Sequence, residues 1–158
     1  MAVLNDFKAS SNDVLKIEHR TSEPFDHPID PASLETIAFN VGELAAVNAS
    51  GFVVRADVDN LATLKVLGLF MLPKIPSDAR KNNYVLASGN ASIFSNGIVR
   101  LSTQISNASV NATDILYVGQ DGKLTNVEPV DPAIAVAVGT ALTSRTEATA
   151  EIRVKLEL

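Results

Sequence analysis

The chain contains no cysteine. That removes disulfides, thiolate nucleophiles and thiolate metal ligands, and leaves the redox compartment undetermined. Tryptophan is absent, and the aromatics are six Phe and two Tyr in 158 residues, so a core has to be built from Val, Ile, Leu and Ala. Basic charge is scarce: 13 Lys and Arg stand against 18 Asp and Glu, a net charge of −5. Nucleic acid is held by neutralising phosphates, so direct binding to it is not expected. Long apolar runs are missing as well. The greasiest stretch, Leu61 to Leu72, carries Lys65 and falls well short of the roughly 20 residues that cross a bilayer. No membrane association is expected. Met1 to Phe7 has no basic start followed by an apolar core, so a signal peptide is not expected and synthesis in a cytoplasm is.

What the chain does contain is β signal, clearest in its last third. Asp114-Ile-Leu-Tyr-Val118 is a short apolar run, Gly119 to Gly122 a turn, and Lys123 to Val127 a second run. Ala133 to Val138 follows between Pro132 and Gly139. From Glu147 to Leu158, Ala148, Ala150, Ile152, Val154, Leu156 and Leu158 alternate with Glu147, Thr149, Glu151, Arg153, Lys155 and Glu157. A period of two predicts a strand with one dry and one wet face. The uncharged Ala133–Val138 run is expected to be covered on both faces or held at an oligomer interface.

Residues 1–35 read differently, as an extended N-terminal arm. They hold both histidines, Pro24, Pro28 and Pro31, and seven acidic against three basic residues. Their apolar residues are scattered, apart from Val14 to Ile17, so they have little to bury. Asp30-Pro31 suits the start of one helical turn. Residues 36–158 read as the β domain. Strands are expected at Thr36–Val41, Leu44–Val47, Phe52–Val58, Leu61–Leu72 with an irregularity at Gly68, Tyr84–Ser88, Ala91–Phe94 and Ile98–Thr103. The spacing within Leu61–Leu72 also tolerates a helix. Gly89-Asn90 and Asn96-Gly97 read as hairpin turns. Residues 73–83, with Pro73, Pro76, Lys74, Arg80 and Lys81, read as an exposed loop insertion. Asn48-Ala-Ser50, Asn90-Ala-Ser92, Asn107-Ala-Ser109 and Asn111-Ala-Thr113 match the glycosylation triplet but read as Asn/Ser turns in a chain with no secretion signal. The fold class is therefore all-β, a small antiparallel β-barrel or sandwich with an extended N-terminal arm.

The parts of an active site do not converge. His19 and His27 are the imidazoles, and both sit in the irregular front segment at a spacing that matches no compact metal motif. Glu43, Asp57, Asp59, Asp114 and Asp121 fall at turns and strand ends, where carboxylates commonly accept backbone hydrogen bonds. No glycine-rich phosphate loop is present. The expectation is a chain that is no enzyme and takes no metal and no cofactor.

Asp114-Ile-Leu-Tyr117, Gly122-Lys-Leu-Thr125, Val138-Gly-Thr-Ala-Leu142 and Ile152-Arg-Val-Lys-Leu156 together resemble the closing half of the small β-barrel capsid decoration (head cement) proteins of tailed bacteriophages. Thr36 to Val58 is similar to their opening half. The resemblance implies a virion protein on the outer capsid surface, made in the host cytoplasm, that binds the major capsid protein and stabilises the shell as a homo-oligomer, commonly a trimer. The longer proline-containing front segment and the 73–83 insertion depart from it. A limited Ala/Val core also favours oligomerisation, since partner burial adds stability. Candidate capsid contacts are Phe7, Val14, Ile17 and Phe25 as apolar anchors, with Lys74, Arg80 and Lys81 in the loop. Two other readings stand beside this one: a tail or baseplate structural subunit, and a carbohydrate-binding or adhesive module relying on Tyr84 and Tyr117.

Overall fold

The computed structural model describes residues 15–30, 40–71 and 89–158. In chain order the described strands are β1 (Lys16–Arg20), β2 (Phe25–Pro28), β3 (Leu44–Val47), β4 (Val53–Arg55), β5 (Lys65–Phe70) and β6 (Asn90–Phe94). They continue with β7 (Gly97–Leu101), β8 (Ile115–Val118), β9 (Leu124–Thr125), β10 (Ala137–Ala141) and β11 (Ile152–Leu156). The strands form two antiparallel sheets. The first is six-stranded in the order β1-β7-β11-β10-β8-β9, and the second five-stranded in the order β2-β6-β5-β3-β4.

The main core lies where alternating side chains of the two sheets meet. From the first sheet come Val99, Leu101, Leu116, Val118, Val138, Ile152, Val154 and Leu156; from the second come Leu44, Ala46, Leu69 and Phe94. Each aliphatic side chain buried this way contributes about 1.5–3 kcal/mol, which is how a core with few aromatics holds. The opposite face of the second sheet is buried too. Ala45, Val53, Phe70, Ala91 and Ile93 form a smaller cluster there with Ile29. Ile29 follows β2 and makes an isolated parallel bridge to Val53 of β4, with Asp30 N donating to the Val53 carbonyl at 2.9 Å. The two end strands of the second sheet meet at that point.

Gly68 lets the second sheet bend. A Cβ there would collide with the Phe94 carbonyl oxygen of β6, and the β3–β5 register shifts between Ala45 and Ala46, beside it. The irregularity expected at this glycine is a real one. The 61–72 stretch divides, however. Val58–Thr63 is a 3-10 turn capped by Asp57, whose side chain accepts from Asp59 N, and the strand begins at Lys65. The expected Phe52–Val58 strand is correspondingly confined to Val53–Arg55.

Several other elements differ from the sequence reading. Residues 16–20 and 25–28, expected in an extended arm, are strands: β1 pairs with β7 and β2 with β6, in different sheets. Leu15 and Ile29 flank them and are buried, so this part of the front segment belongs to the domain. Asn96-Gly97 turns the chain, but it does not make a hairpin, because β6 lies in the second sheet and β7 in the first. The strand expected at Ala133–Val138 sits further on, at Ala137–Ala141. The terminal strand is Ile152–Leu156 and stops short of Ala148 and Ala150. The 73–83 loop, the Tyr84–Ser88 strand, the helical turn after Asp30 and most of Thr36–Val41 lie outside the described residues.

Candidate functional site

The outer face of the first sheet divides into a charged half and an apolar half. On the charged half, β7 and β11 set Arg100 directly opposite Arg153. Like charges in a cross-strand pair repel, and β1 answers them. Its register to β7 shifts between Ile17 and His19, leaving Glu18 as the extra residue of a bulge, and bulges re-aim side chains. The Glu18 carboxylate accepts from Arg100 Nε and, at 2.7 Å, from Arg153 Nε. Its pKa is held below the ordinary glutamate value by the hydrogen bond from Arg100 first and that from Arg153 second. Lys16 pairs with Glu151 at 2.9 Å and Lys155 with Glu157 at 2.8 Å.

Across β10, β8 and β9 the same face loses its charge. Thr140 lies opposite Lys155 on one side and Ile115 on the other, and Leu142 N donates to the Arg153 carbonyl at 2.7 Å. Tyr117 pairs with Thr125, the last residue of β9, and Val127 follows in the turn after it, its N donating to Thr125 Oγ1 at 3.1 Å. Ile115 is 49 % exposed, Val127 63 % and Leu142 37 %, and Val130 in the following loop is fully exposed. Grouped large apolar side chains on a sheet face are the pattern of a contact surface rather than of solvated wall. Asp114 lies beside Ala141 at the start of β8 and Glu128 acts on Tyr117; among the described residues neither has an ion-pair partner. Tyr117 has its pKa raised first by burial and then by the nearby negative charge of Glu128.

Two polar clusters hold the frame that presents this face. Glu43, at the start of β3, is 6 % exposed; its Oε1 accepts from Asn40 N at 3.1 Å and Asn40 Nδ2 at 2.8 Å. Its Oε2 lies 3.6 Å from Arg55 Nη1 and makes no hydrogen bond, and Asn40 Oδ1 is likewise buried without one. Burial pushes the Glu43 carboxyl above its usual range, opposed by Asn40, Arg55 and Lys123. Arg55 reaches on to Asp121 at 3.5 Å, and Asp121 N donates to Asp57 at 2.8 Å, which ties β4 of one sheet to the β8–β9 turn of the other.

Arg145 is the second cluster. Buried at 5 % exposure, its guanidinium donates to five backbone carbonyls: Ser102 at 2.7 Å, Ala148 at 3.0 Å, Ala150 at 2.9 Å, Ile105 at 3.0 Å and Asn107 at 2.6 Å. Its main chain exchanges both hydrogen bonds with Val110. No carboxylate among the described residues pairs with it, and desolvation lowers its pKa.

The carboxylates and asparagines singled out in the sequence largely serve turns. Asp114 accepts from Asn111 N at 2.8 Å and Asn126 Nδ2 at 2.9 Å, which depresses its pKa, Asn126 contributing most. Asn48 Oδ1 accepts from Ser50 N and Phe52 N at 3.0 and 3.1 Å. His27 contacts the Gly51 carbonyl at 2.7 Å, while His19 lines an open cleft of about 610 Å³ with Lys155, Glu157 and Asn96. The two histidines stand on strands of different sheets. Among the described residues no group of three or more His, Asp or Glu could hold a metal ion, and no helix is long and apolar enough to cross a membrane.

Of the sequence-predicted contact residues, Ile17 and Phe25 are described. Ile17 lies on β1, half-buried against the main core, and Phe25 on β2 is exposed. They are in different sheets and form no joint site. Phe7, Val14, Lys74, Arg80 and Lys81 lie outside the described residues. Ile115, Leu142, Val127 and Val130 were not singled out; Ile115 takes an outward position of β8, Leu142 and Val127 follow strand ends and Val130 lies beside Pro129, places visible once the strands are known. Compared with known proteins, the chain matches no family model and no curated protein sequence.

Proposed function

We propose that this chain is a non-enzymatic structural protein that binds the outer surface of a viral capsid and stabilises it, in the manner of a decoration or cement protein. The observation that carries this is the uncharged, exposed face of β10, β8 and β9. It presents Ile115 on β8, with Leu142 directly after β10 and Val127 in the segment after β9, a surface suited to burial against protein. A standard protein interface buries about 1,600 Å² in total, and cementing requires such burial across neighbouring shell subunits. The Ile29–Val53 bridge between the end strands of the second sheet supports reading that sheet as curling toward a barrel. The major capsid protein is the partner in this reading. Phe7, Val14, Phe25, Lys74, Arg80 and Lys81 remain its candidate contacts, whereas Ile17 is committed to the core side of β1.

Shells stripped of the chain test this. Wild type added back should saturate at a simple ratio to the shell protein, and Ile115→Glu with Leu142→Glu should bind weakly while keeping the same circular dichroism spectrum. Absence of saturable binding by wild type sinks the capsid reading. Binding at a few sites per particle would instead favour a tail or baseplate position.

A further inference from the structure

We propose that one proton is shared between the Glu43 carboxyl and the Asn40 amide, and that its gain or loss decides how Arg55 is divided between Glu43 and Asp121, so that the junction of the two sheets is a proton-operated latch. Asn40 Nδ2 donates to Glu43 Oε1 at 2.8 Å, and the Asn40 main-chain N donates to the same oxygen at 3.1 Å. The other oxygen of each side chain, Glu43 Oε2 and Asn40 Oδ1, is buried and accepts nothing. Buried acceptors left without a donor are costly. A carboxylic acid and a primary amide complete a two-bond ring when the acid is protonated: the amide N–H donates to one carboxyl oxygen and the carboxyl O–H to the amide oxygen. Here the first bond is made, and the two atoms of the second are the orphans. A proton on Oε2 supplies the missing donor.

A metal cation is opposed there by Arg55, whose Nη1 lies 3.6 Å from Oε2, and by the positive potential of Lys123. A buried water donating to both oxygens satisfies them but leaves the carboxylate charged, and titration separates it from the proton. Burial favours the neutral acid and outweighs Asn40, Arg55 and Lys123. The latch follows from what lies against the pair. A Cβ on Gly122, in the β8–β9 turn, would sit 2.9 Å from Arg55 Cγ and 3.1 Å from Glu43 Cβ. Arg55 on β4 reaches Asp121 of that turn at 3.5 Å, and Asp121 N donates to Asp57, the cap of the 3-10 turn, at 2.8 Å. With Glu43 neutral, Arg55 serves Asp121 alone and holds the turn. Once the proton passes to water, two carboxylates draw on one guanidinium and the tie slackens. The folded chain binds this proton more tightly than the unfolded chain, so the tie weakens as pH rises from 4.5 through the native value.

An NMR titration of the isotope-labelled full chain from about pH 3.5 to about pH 8, across and above the ordinary carboxylate range, tests this. The Glu43 Cδ shift should titrate with a midpoint above 4.5, and the Asn40 Nδ2 protons and the Gly122 amide should move with the same midpoint. In Glu43→Gln the new amide donates to Asn40 Oδ1 while accepting from Asn40 Nδ2, which mimics the protonated form. Its Asn40 and Gly122 shifts at neutral pH should match those of acidic wild type, with the transition gone. Arg55→Gln, folded by circular dichroism, should raise the Glu43 midpoint further and shrink the Gly122 transition. A Glu43 midpoint at or below 4.5 overturns the proposal. So does a raised midpoint that the Asn40 side chain does not follow, which would leave no shared proton. A Gly122 amide that ignores the Glu43 midpoint, or a transition there that persists in Glu43→Gln, removes the latch.

Discussion

Arg100 and Arg153 stand directly opposite each other on β7 and β11, a like-charged cross-strand pair relieved by the one carboxylate of Glu18. That carboxylate arrives from a bulge in β1 and accepts from both guanidinium Nε groups. The same three residues dock the edge strand β1 onto the sheet and fix where the charged half of the outer face ends.

Glu18→Gln should lower the urea midpoint of unfolding at neutral pH, because it leaves the arginine pair uncompensated. The native pKa of Glu18 is depressed below the ordinary 4.5, so its contribution is present above that value and lost as pH falls through the native one. The gap between wild type and variant should close under acid and shrink in high salt. A gap independent of both would mean that Glu18 acts through packing.

Glu43→Gln should behave in the opposite sense. Burial raises the native pKa of Glu43 above 4.5, so the folded protein holds this proton more tightly than the unfolded one, and wild-type stability falls as pH rises from 4.5 through the native value. A glutamine keeps an acceptor for Asn40 and carries no charge to desolvate. Chemical denaturation across pH 4 to 8 should give a flatter profile for the variant, which gains on wild type toward high pH. Parallel profiles would contradict this.

Arg145→Lys should be among the most destabilising exchanges in the described part of the chain. A lysine offers three donors from one point and cannot reach five separate carbonyls. Losing two charge-assisted bonds at about 1.5 kcal/mol each gives a loss of roughly 3 kcal/mol. Hydrogen exchange should quicken in residues 102–110 and 143–150 before the rest of the sheet. Unchanged exchange there would show that these loops hold without the guanidinium.

Gly139→Ala should push β10 away from β11, since a Cβ at this position would collide with the Lys155 carbonyl oxygen. A cost of roughly 1–3 kcal/mol is expected from such overpacking, read as a lower thermal midpoint. Full retention of stability would mean the pair relaxes freely.

The sequence reading succeeded where burial alternates. Ile152, Val154 and Leu156 are buried between the exposed or half-buried Arg153 and Lys155, and a period of two reports that directly. Ala148 and Ala150 extend the same alternation without being strand, because their carbonyls are taken by Arg145, a non-local bond that periodicity cannot register. β1 and β2 were illegible for a related reason. They are edge strands with mostly exposed side chains, so their composition matches that of a solvated segment and only their pairing distinguishes them. Asn96-Gly97 announced a turn correctly, but local chemistry does not say which sheet the next strand joins. The candidate face was hidden in the same way: Ile115 reads as one more member of an apolar run until Leu116 is seen to take the inward position.

The most direct test of the central claim is the copy number of this chain in purified virus particles, measured by quantitative mass spectrometry against the major shell protein. A decoration protein predicts a ratio near one to one or a simple fraction of it. A handful of copies per particle, or none, would contradict a role on the capsid surface.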